Sequence, residues 1–284
     1  VSGLTAGIAY DPPWGPPAIV EFGITDANGV RWTVADLEGD GGPPMHGQVV
    51  SSAGDHGGYA TPQFAGPRLM TLTILAIAPN SALRDVARTQ IAAAFPISDL
   101  ATLRIDEAIP KQMLVRRSGE IPEKKEADTD VRFTIGLVAP DPRKYGTTLH
   151  TATATQASAA AGLAPPLTPP FTLPAGAPPM AVACTNAGSF ETRPTVTITG
   201  PITAPAVVNQ TTGQAVSFTG MTLAASDQLV VDLNAKQTYL NGVYRTADIG
   251  SSWWVLQPGT TTVQVTGTGA TGSTMTVAWR DAWI

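Results

Sequence analysis

One cysteine, Cys184, is all that the 284-residue chain contains. That excludes an intramolecular disulfide framework and any cysteine-rich zinc site. Charge is scarce as well: Asp, Glu, Lys and Arg make up 14% of the residues, against about 25% in a typical soluble domain. Basic residues are outnumbered 17 to 22, for a formal net charge of −5. Proteins that bind nucleic acid by neutralising phosphates are normally basic, so no specific nucleic-acid binding is expected. No run of about 18 apolar residues is free of proline and charge, so no membrane insertion is expected. Residues 1–10 hold no Lys or Arg and no long apolar run. No secretory signal is therefore expected there, and synthesis in a reducing cytoplasm is.

Catalytic signatures are missing too. The chain has no G-x-S-x-G, no H-E-x-x-H and no G-x-x-x-x-G-K-[ST], the spacings that set up an acyl-transfer nucleophile, a zinc-held water or a phosphate cradle. His46, His56 and His150 could join Asp55 as metal ligands, but two of the three sit in a glycine-rich segment that would not hold them rigid. Asp106 and Glu107 are adjacent, and neighbours on a strand face opposite ways. Cys184 reads as a small buried hydrophobe, and Asn209-Gln210-Thr211 as a chance glycosylation triplet. No catalytic, metal-binding or cofactor-binding residue is expected, and no enzyme.

What the chain has is apolar residues (43%) together with 28 Gly and 25 Pro. The hydrophobic fraction is enough to build a core and excludes a disordered chain. The glycines lack the three-residue period of collagen. The length fits two domains or one large all-β domain.

The dominant period is two. Val20, Phe22 and Ile24, the turn at residues 26–29, and Val30, Trp32 and Val34 predict a hairpin with one buried face. Leu72, Ile74 and Ala76 form one further alternating series, and Val131, Phe133, Ile135 and Leu137 another. Residues 40–66 are glycine-rich with little periodicity, which predicts a long loop or arm. A single helix is expected over residues 81–95, capped by Asn80 or Ser81. Its apolar stripe would be Leu83, Val86, Ala87, Ile91, Ala94 and Phe95, and Pro96 ends it.

From residue 151 to 179 the composition turns to Ala, Thr and Pro, which suits either a stiff linker or the edge of a second domain. Beyond Met180 everything reads as strand and turn. Val196 and Ile198, then Leu229, Val231 and Leu233, then Val263 and Val265, then Met275, Val277 and Trp279 each alternate with polar neighbours. Asn241-Gly242 between Tyr239-Leu240 and Val243-Tyr244 is the strongest hairpin signal, since both residues tolerate the positive φ of a two-residue turn. Short strands at this spacing predict an all-β sandwich.

Two clusters are candidate interaction sites. Residues 116–132 hold ten charged side chains in 17 positions, among them Arg116, Arg117, Lys124 and Lys125. Mixed charge on a hairpin tip is either plain solvation or a means of setting partner register. Four of the six tryptophans lie in the last 32 residues. Trp279 continues an inward series, whereas Trp253 and Trp254 are consecutive and would face opposite ways, one of them toward a surface or interface.

The second half resembles the C-terminal, galectin-like domain of the distal tail proteins (minor tail proteins) of long, non-contractile-tailed bacteriophages. The residues that carry the likeness run in order. Asn186-Ala187-Gly188 precedes Arg193-Pro194 and the series from Thr195 to Gly200. Asn209 and Gly213 follow, then Leu229-Val230-Val231-Asp232 and Asn241-Gly242. Last come Trp253-Trp254-Val255-Leu256-Gln257-Pro258-Gly259 and a terminal aromatic segment from Ala278 to Trp283. On this resemblance residues 163–173 become the lead-in to the second domain. The first half is similar to the family's ring-forming domain, with an opening hairpin, a variable glycine-rich loop, Pro67-Arg68-Leu69 leading to the strand before one helix, and a hairpin over residues 103–116.

The resemblance implies a mainly β fold in two parts. Residues 1–148 would be a ring-forming, sandwich- or barrel-like domain with one α-helix, and residues 149–284 a galectin-like β-sandwich. It implies a virion structural protein at the tail tip, assembled in the host cytoplasm, without cofactors. Its partners would be copies of itself in a hexameric ring, the tail tube protein, the tail-tip hub protein and other minor tail or receptor-binding proteins. A carbohydrate-binding, lectin-like adhesion protein is the alternative, with Trp253 or Trp254 stacking on host glycan.

Overall fold

The computed structural model describes residues 5–11, 17–157 and 179–284. The lead-in at residues 163–173 and most of the Ala/Thr/Pro stretch lie outside the described residues. The chain divides into two compact units, Val1–Thr147 with Ile284, and Thr148–Trp283. Both are predominantly β.

The first unit opens with β1 (Thr5–Tyr10), β2 (Ala18–Glu21) and β3 (Arg31–Glu38). Four short strands follow: β4 (Met45–His46), β5 (Val49–Ser51), β6 (Gly58–Ala60) and β7 (Phe64–Ala65). Then come β8 (Arg68–Ile77), α1 (Ser81–Ala94), β9 (Ala101–Asp106), β10 (Lys111–Arg117), β11 (Glu123–Lys125), β12 (Asp130–Ala139) and β13 (Lys144–Gly146). The antiparallel order is β2-β1-β9-β10-β12-β8-β3, with β11 added beside β12.

One strand turns the corner. Lys111 to Val115 of β10 pair with β9, whereas Arg116 and Arg117 pair with Val138 and Leu137 of β12. Two layers therefore face each other across one core. Ile8, Leu103 and Met113 line up across one layer, and Leu72 and Ile74 face Ile135 and Phe133 in the other. The Trp32 ring stacks on Phe133 at 6.4 Å between centroids. Every one of these inward side chains is at most 2% exposed, as period-two alternation demands of a strand with one buried face.

The hairpin expected over residues 20–34 is a different object. Asp26 does form the turn, its carboxylate accepting bonds from Asn28 N and Val30 N at 2.9 Å each. Backbone bonds from Gly23 N to Trp32 O and from Trp32 N to Ile24 O cross it. Val20, however, pairs with Ile8 of β1 and Val34 with Ile74 of β8. The turn thus joins the two ends of the strand order and closes it in barrel fashion. Local turn chemistry is legible in sequence; the long-range partner of each strand is not.

The helix runs Ser81–Ala94 rather than to residue 95, with Phe95 as its C-cap. Asn80 is the N-cap, its Oδ1 accepting from Leu83 N at 2.9 Å. Ala87, Ile91 and Ala94 form the buried stripe, while Val86, expected to join it, is exposed. Leu83 packs partly buried against the same core and Phe95 is buried just past the helix, so Val86 alone departs from the expected stripe.

The second unit comprises β14 (His150–Thr155), β15 (Met180–Asn186), β16 (Thr195–Thr199), β17 (Ile202–Asn209), β18 (Ala215–Ser217), β19 (Thr222–Leu223), β20 (Gln228–Asp232), β21 (Gln237–Leu240), β22 (Val243–Arg245), β23 (Gly259–Thr268), β24 (Thr274–Trp279) and β25 (Ala282–Trp283). One sheet runs β14-β24-β16-β20-β21-β22 and the other β15-β23-β17-β18, with β19 beside β17. Val196 faces Val231 and Val277, and Ile198 faces Leu229 and Met275. These pack with Val207, Val263 and Val265 of the other sheet around Trp254. Asn241 sits at φ +50° and Gly242 at +78°, as the two-residue turn requires.

Replacing Asn80 by Ala removes the cap of the unit's one helix. Expected is a loss of about 1 kcal/mol, read as a lower urea midpoint at unchanged slope, with Asn80→Asp close to the parent.

Candidate interaction surfaces

Large apolar side chains that remain in water are unevenly distributed. Of nineteen exposed ones among the described residues, fourteen lie between Ile19 and Leu114, and only Leu149, Val243, Tyr244 and Ile249 belong to the second unit. Scattered exposed leucines need no explanation, but a contiguous apolar patch does.

Five of the fourteen belong to the glycine-rich segment that the sequence predicts to be a long loop or arm. It is a β-ribbon. Met45 and His46 pair with Ala65 and Phe64, and Val49, Val50 and Ser51 pair with Ala60, Tyr59 and Gly58. Between the two ladders, Gln48 N donates to Thr61 Oγ1 at 2.8 Å and Thr61 N to Gln48 O at 2.9 Å. Residues 61–63 oppose only residues 47–48, so the ribbon carries a one-residue bulge at Pro62, which has no N–H to lose. Val50 with Tyr59 and Val49 with Ala60 occupy opposite faces. Tyr59 is 76% exposed, Val49 71% and Phe64 70%. Residues 41–66 include one formal charge, Asp55. The sequence missed the ribbon because its strands are two or three residues long and apolar on both sides, which leaves no alternation to detect.

The root of this arm is tied down by a buried arginine. Arg68 is fully buried. Its guanidinium donates to Pro142 O from Nη2 at 3.0 Å, to Asp40 O from Nη1 at 3.1 Å, and to Gly41 O. Lys144 Nζ lies 2.6 Å from Asp40 Oδ1, and Arg143 pairs with Asp141 at 3.2 Å. Burial lowers the Arg68 pKa while the charge of Asp40 opposes the shift; an arginine keeps its proton regardless. Gly39, at φ +78°, admits the close pass, since a Cβ there would stand 2.2 Å from Leu69 O. A signal for Arg68 does exist in the sequence: it holds the same parity as inward-facing Met70, Leu72, Ile74 and Ala76.

A second surface is a groove of about 400 Å³ on the outer face of β1. Gly7 pairs with Glu21 on one side and Arg104 on the other, and Ala9 with Ile19 and Thr102. Two residues with almost no side chain therefore floor a trough whose walls are longer side chains. Ile19 and Ile24 on one wall are exposed, and Arg104 on the other pairs with Asp106 at 2.7 Å.

The charged segment is largely self-neutralised. Lys124 pairs with Glu126 at 3.4 Å, Lys125 with Asp128 at 2.6 Å, and Arg132 with Glu126 at 2.8 Å. The helix holds it: Arg88 meets Glu123 at 3.0 Å and Arg84 donates to Asp128 O at 2.7 Å. These cations keep the carboxyls of Glu126 and Asp128 below the usual range, through hydrogen bonds from Arg132 and Lys125 respectively. Lys124 and Lys125 are thus committed within the segment, whereas Arg116 and Arg117, on β10, make no ion pair among the described residues. The four cations do not form one site.

The tryptophan pair is not a platform. Trp254 is buried, its Nε1 donating to Val207 O at 3.3 Å, and Trp253 is half-buried against the same core. Trp279 belongs to the core as its series indicated, donating to Thr185 O at 2.9 Å. Exposed Tyr244 meets half-buried Tyr239 edge to face at 6.1 Å beside the Asn-Gly turn. The lectin reading loses the residues it rested on.

Several residues that carry the family resemblance hold the fold. Buried Asn186 donates from Nδ2 to Phe190 O at 2.7 Å and Leu256 O at 3.3 Å, and its Oδ1 accepts from Gly188 N and Ala282 N. Gly188 packs so closely that a Cβ would meet Ala282 O at 1.9 Å. Asn209 ties Val255 O to the turn through Thr211 N and Thr212 N. His46 and His56 lie in or near the arm and His150 in the second unit, beside Asp281 at 3.2 Å. Among the described residues no three His, Cys, Asp or Glu side chains converge as metal ligands, and no helix is long and apolar enough to cross a membrane.

Residues 187–283 match the family model of the siphovirus-type tail component, C-terminal domain. No curated protein matches the chain. Among solved structures, the chain is similar to the SPP1 Dit (gp 19.1) protein, described as a paradigm of the hub adsorption apparatus in phages infecting Gram-positive bacteria. The TM-score is 0.61 at 16% identity, over 89% of this chain and 94% of that one. A chain of the phage P2 baseplate in its activated conformation with Ca matches with TM-score 0.56 at 11% identity, over 97% and 98%. The same baseplate with Sr gives 0.54 at 11% identity, over 98% of each chain. Residues 187–283 are therefore similar to a tail component of the siphovirus type. Over most of its length the chain shares the fold of the SPP1 Dit protein.

Truncating Arg68 to Met leaves buried carbonyls without donors, at a cost of about 1–3 kcal/mol for each group stranded. The expected result is faster amide exchange and protease cleavage within residues 40–66, ahead of any loss in β8 and β12.

Proposed function

We propose that the chain is a structural subunit of a phage tail tip. It forms a sixfold ring at the distal end of the tail tube, joining the tube to the tail-tip hub and receptor-binding proteins around the channel through which DNA leaves. The observation that carries this reading is the uneven surface. The second unit, the one that matches the tail-component family, leaves four large apolar side chains in water among the described residues, whereas the first leaves fifteen. Head-to-tail ring closure needs two different apolar patches on each subunit, and a first unit built for that purpose would show them when alone. An acidic chain also suits a passage that DNA must leave without adhering. The role is that of a scaffold.

Electron microscopy of the purified protein should show sixfold rings, and antibodies against it should label the tail tip of intact particles. A strictly monomeric protein that is missing from purified virions would sink the reading. Of the four candidate cations, the unpaired ones are the contact residues. Arg116→Gln with Arg117→Gln should raise the concentration needed for ring assembly several-fold, as expected for lost charge contacts of about 1 kcal/mol. Lys124→Gln with Lys125→Gln should change it little, because those lysines already have partners in the free chain.

A further inference from the structure

We infer that the ribbon at residues 45–65 is an assembly arm that seats in the trough over Gly7 and Ala9 of a second copy of this chain, an inference that rests on the ring reading above. Among the described residues nothing covers the apolar side chains of the arm. Met45, Val49, Val50, Tyr59 and Phe64 are all more than half exposed, and together they present about 600 Å² of side-chain surface, taking roughly 150–250 Å² for each aromatic. A soluble monomer rarely keeps an apolar patch beyond a few hundred Å², and a stable interface needs about 800 Å² from each partner. Divided between the two faces of the ribbon, that surface supplies part of one side of such an interface.

Its occupancy by a copy follows from what else the first unit offers. A head-to-tail contact joins two different patches, one protruding and one receiving. The trough is the receiving patch: floored by Gly7 and Ala9, walled by Ile19 and Ile24, and about 400 Å³ in volume. The aromatic side chains of Tyr59 and Phe64 are the protruding apolar bodies that match a floor without side chains. The arm brings a single charge, Asp55; the charges of the trough are Glu21, Arg104 and Asp106, and the last two already pair with each other at 2.7 Å. Arg68 is the positioning residue: by binding Asp40 O, Gly41 O and Pro142 O at the root, it fixes the direction from which the arm leaves the sheet.

Cross-linking tests the seat directly, and the chain suits it. Its one natural thiol, Cys184, is fully buried, with burial pushing its pKa up to about 12, so it does not compete. Full-length Phe64→Cys and Ile19→Cys proteins are mixed and mildly oxidised. A disulfide-linked pair containing one chain of each kind is expected, with little linkage within either variant alone. Tyr59→Ser with Phe64→Ser should abolish rings while its thermal unfolding stays that of the parent. If the parent forms rings but no mixed disulfide appears and the serine variant still assembles, the arm inference is overturned and the ring reading stands. An arm that is protease-sensitive in rings yet protected on intact tails would assign its seat to another tail component, and would equally overturn the inference. A parent that assembles nowhere overturns both.

Discussion

A two-stranded ribbon has no interior. Apolar side chains on both of its faces stay in contact with water until something outside the ribbon covers them, at a cost of about 25 cal/mol for each Å² left wet. The strands at residues 45–51 and 58–65 are built in this way, and an isolated hairpin of that size is marginal in water. That the arm nonetheless has a defined register traces to its root, where one guanidinium gathers the carbonyls of Asp40, Gly41 and Pro142. The sandwich beneath supplies the rigid platform, and the arm supplies the unsatisfied surface. The organisation of the first unit is intelligible as a way of holding apolar groups away from their own core.

The sequence disclosed the parts of the fold whose signals are local. Leu72 to Ala76 and Val131 to Leu137 alternate cleanly because each strand has one face on the core. The helix shows because Asn80, the Ala87–Ile91–Ala94 spacing and Pro96 agree. Asn241-Gly242 shows because few residue pairs accept that turn. Hidden features were those set by distant partners. Val20 and Val34 flank a genuine turn but pair with β1 and β8 instead of each other, and nothing local specifies that. Lys125 and Asp128 are three apart and their pairing is readable in principle; Arg88 and Glu123, 35 positions apart, meet only because α1 lies beside β11.

The candidate sites divide along the same line. Trp253 and Trp254 attract notice by size, yet their environment is the core of the second sandwich. Asn186, Gly188 and Asn209, which make the second half resemble a family, close loops and satisfy buried carbonyls. Resemblance therefore reports the scaffold, and it does so most clearly where polar groups are buried and few substitutions fit. The exposed apolar side chains of the first unit's arm lie on short strands and are interchangeable in kind, which leaves no motif. This difference accounts for a family match confined to residues 187–283 alongside a fold likeness spanning most of the chain.

In the proposed ring, carrying both the arm and the trough on one unit would favour closure. In an open chain of subunits, each addition forms one arm-to-trough contact and gives up one molecule's translational and rotational freedom. The subunit that closes the circle forms two contacts for the same loss, the second at the high effective concentration of a tethered partner. Closure is thus far more favourable than any step before it, and partial arcs are depleted in favour of complete circles and free subunits. A stiff arm sharpens this selection, because only one number of subunits brings the last arm to the first trough without bending it. The buried guanidinium at the arm's root would then help to set how many copies the circle contains.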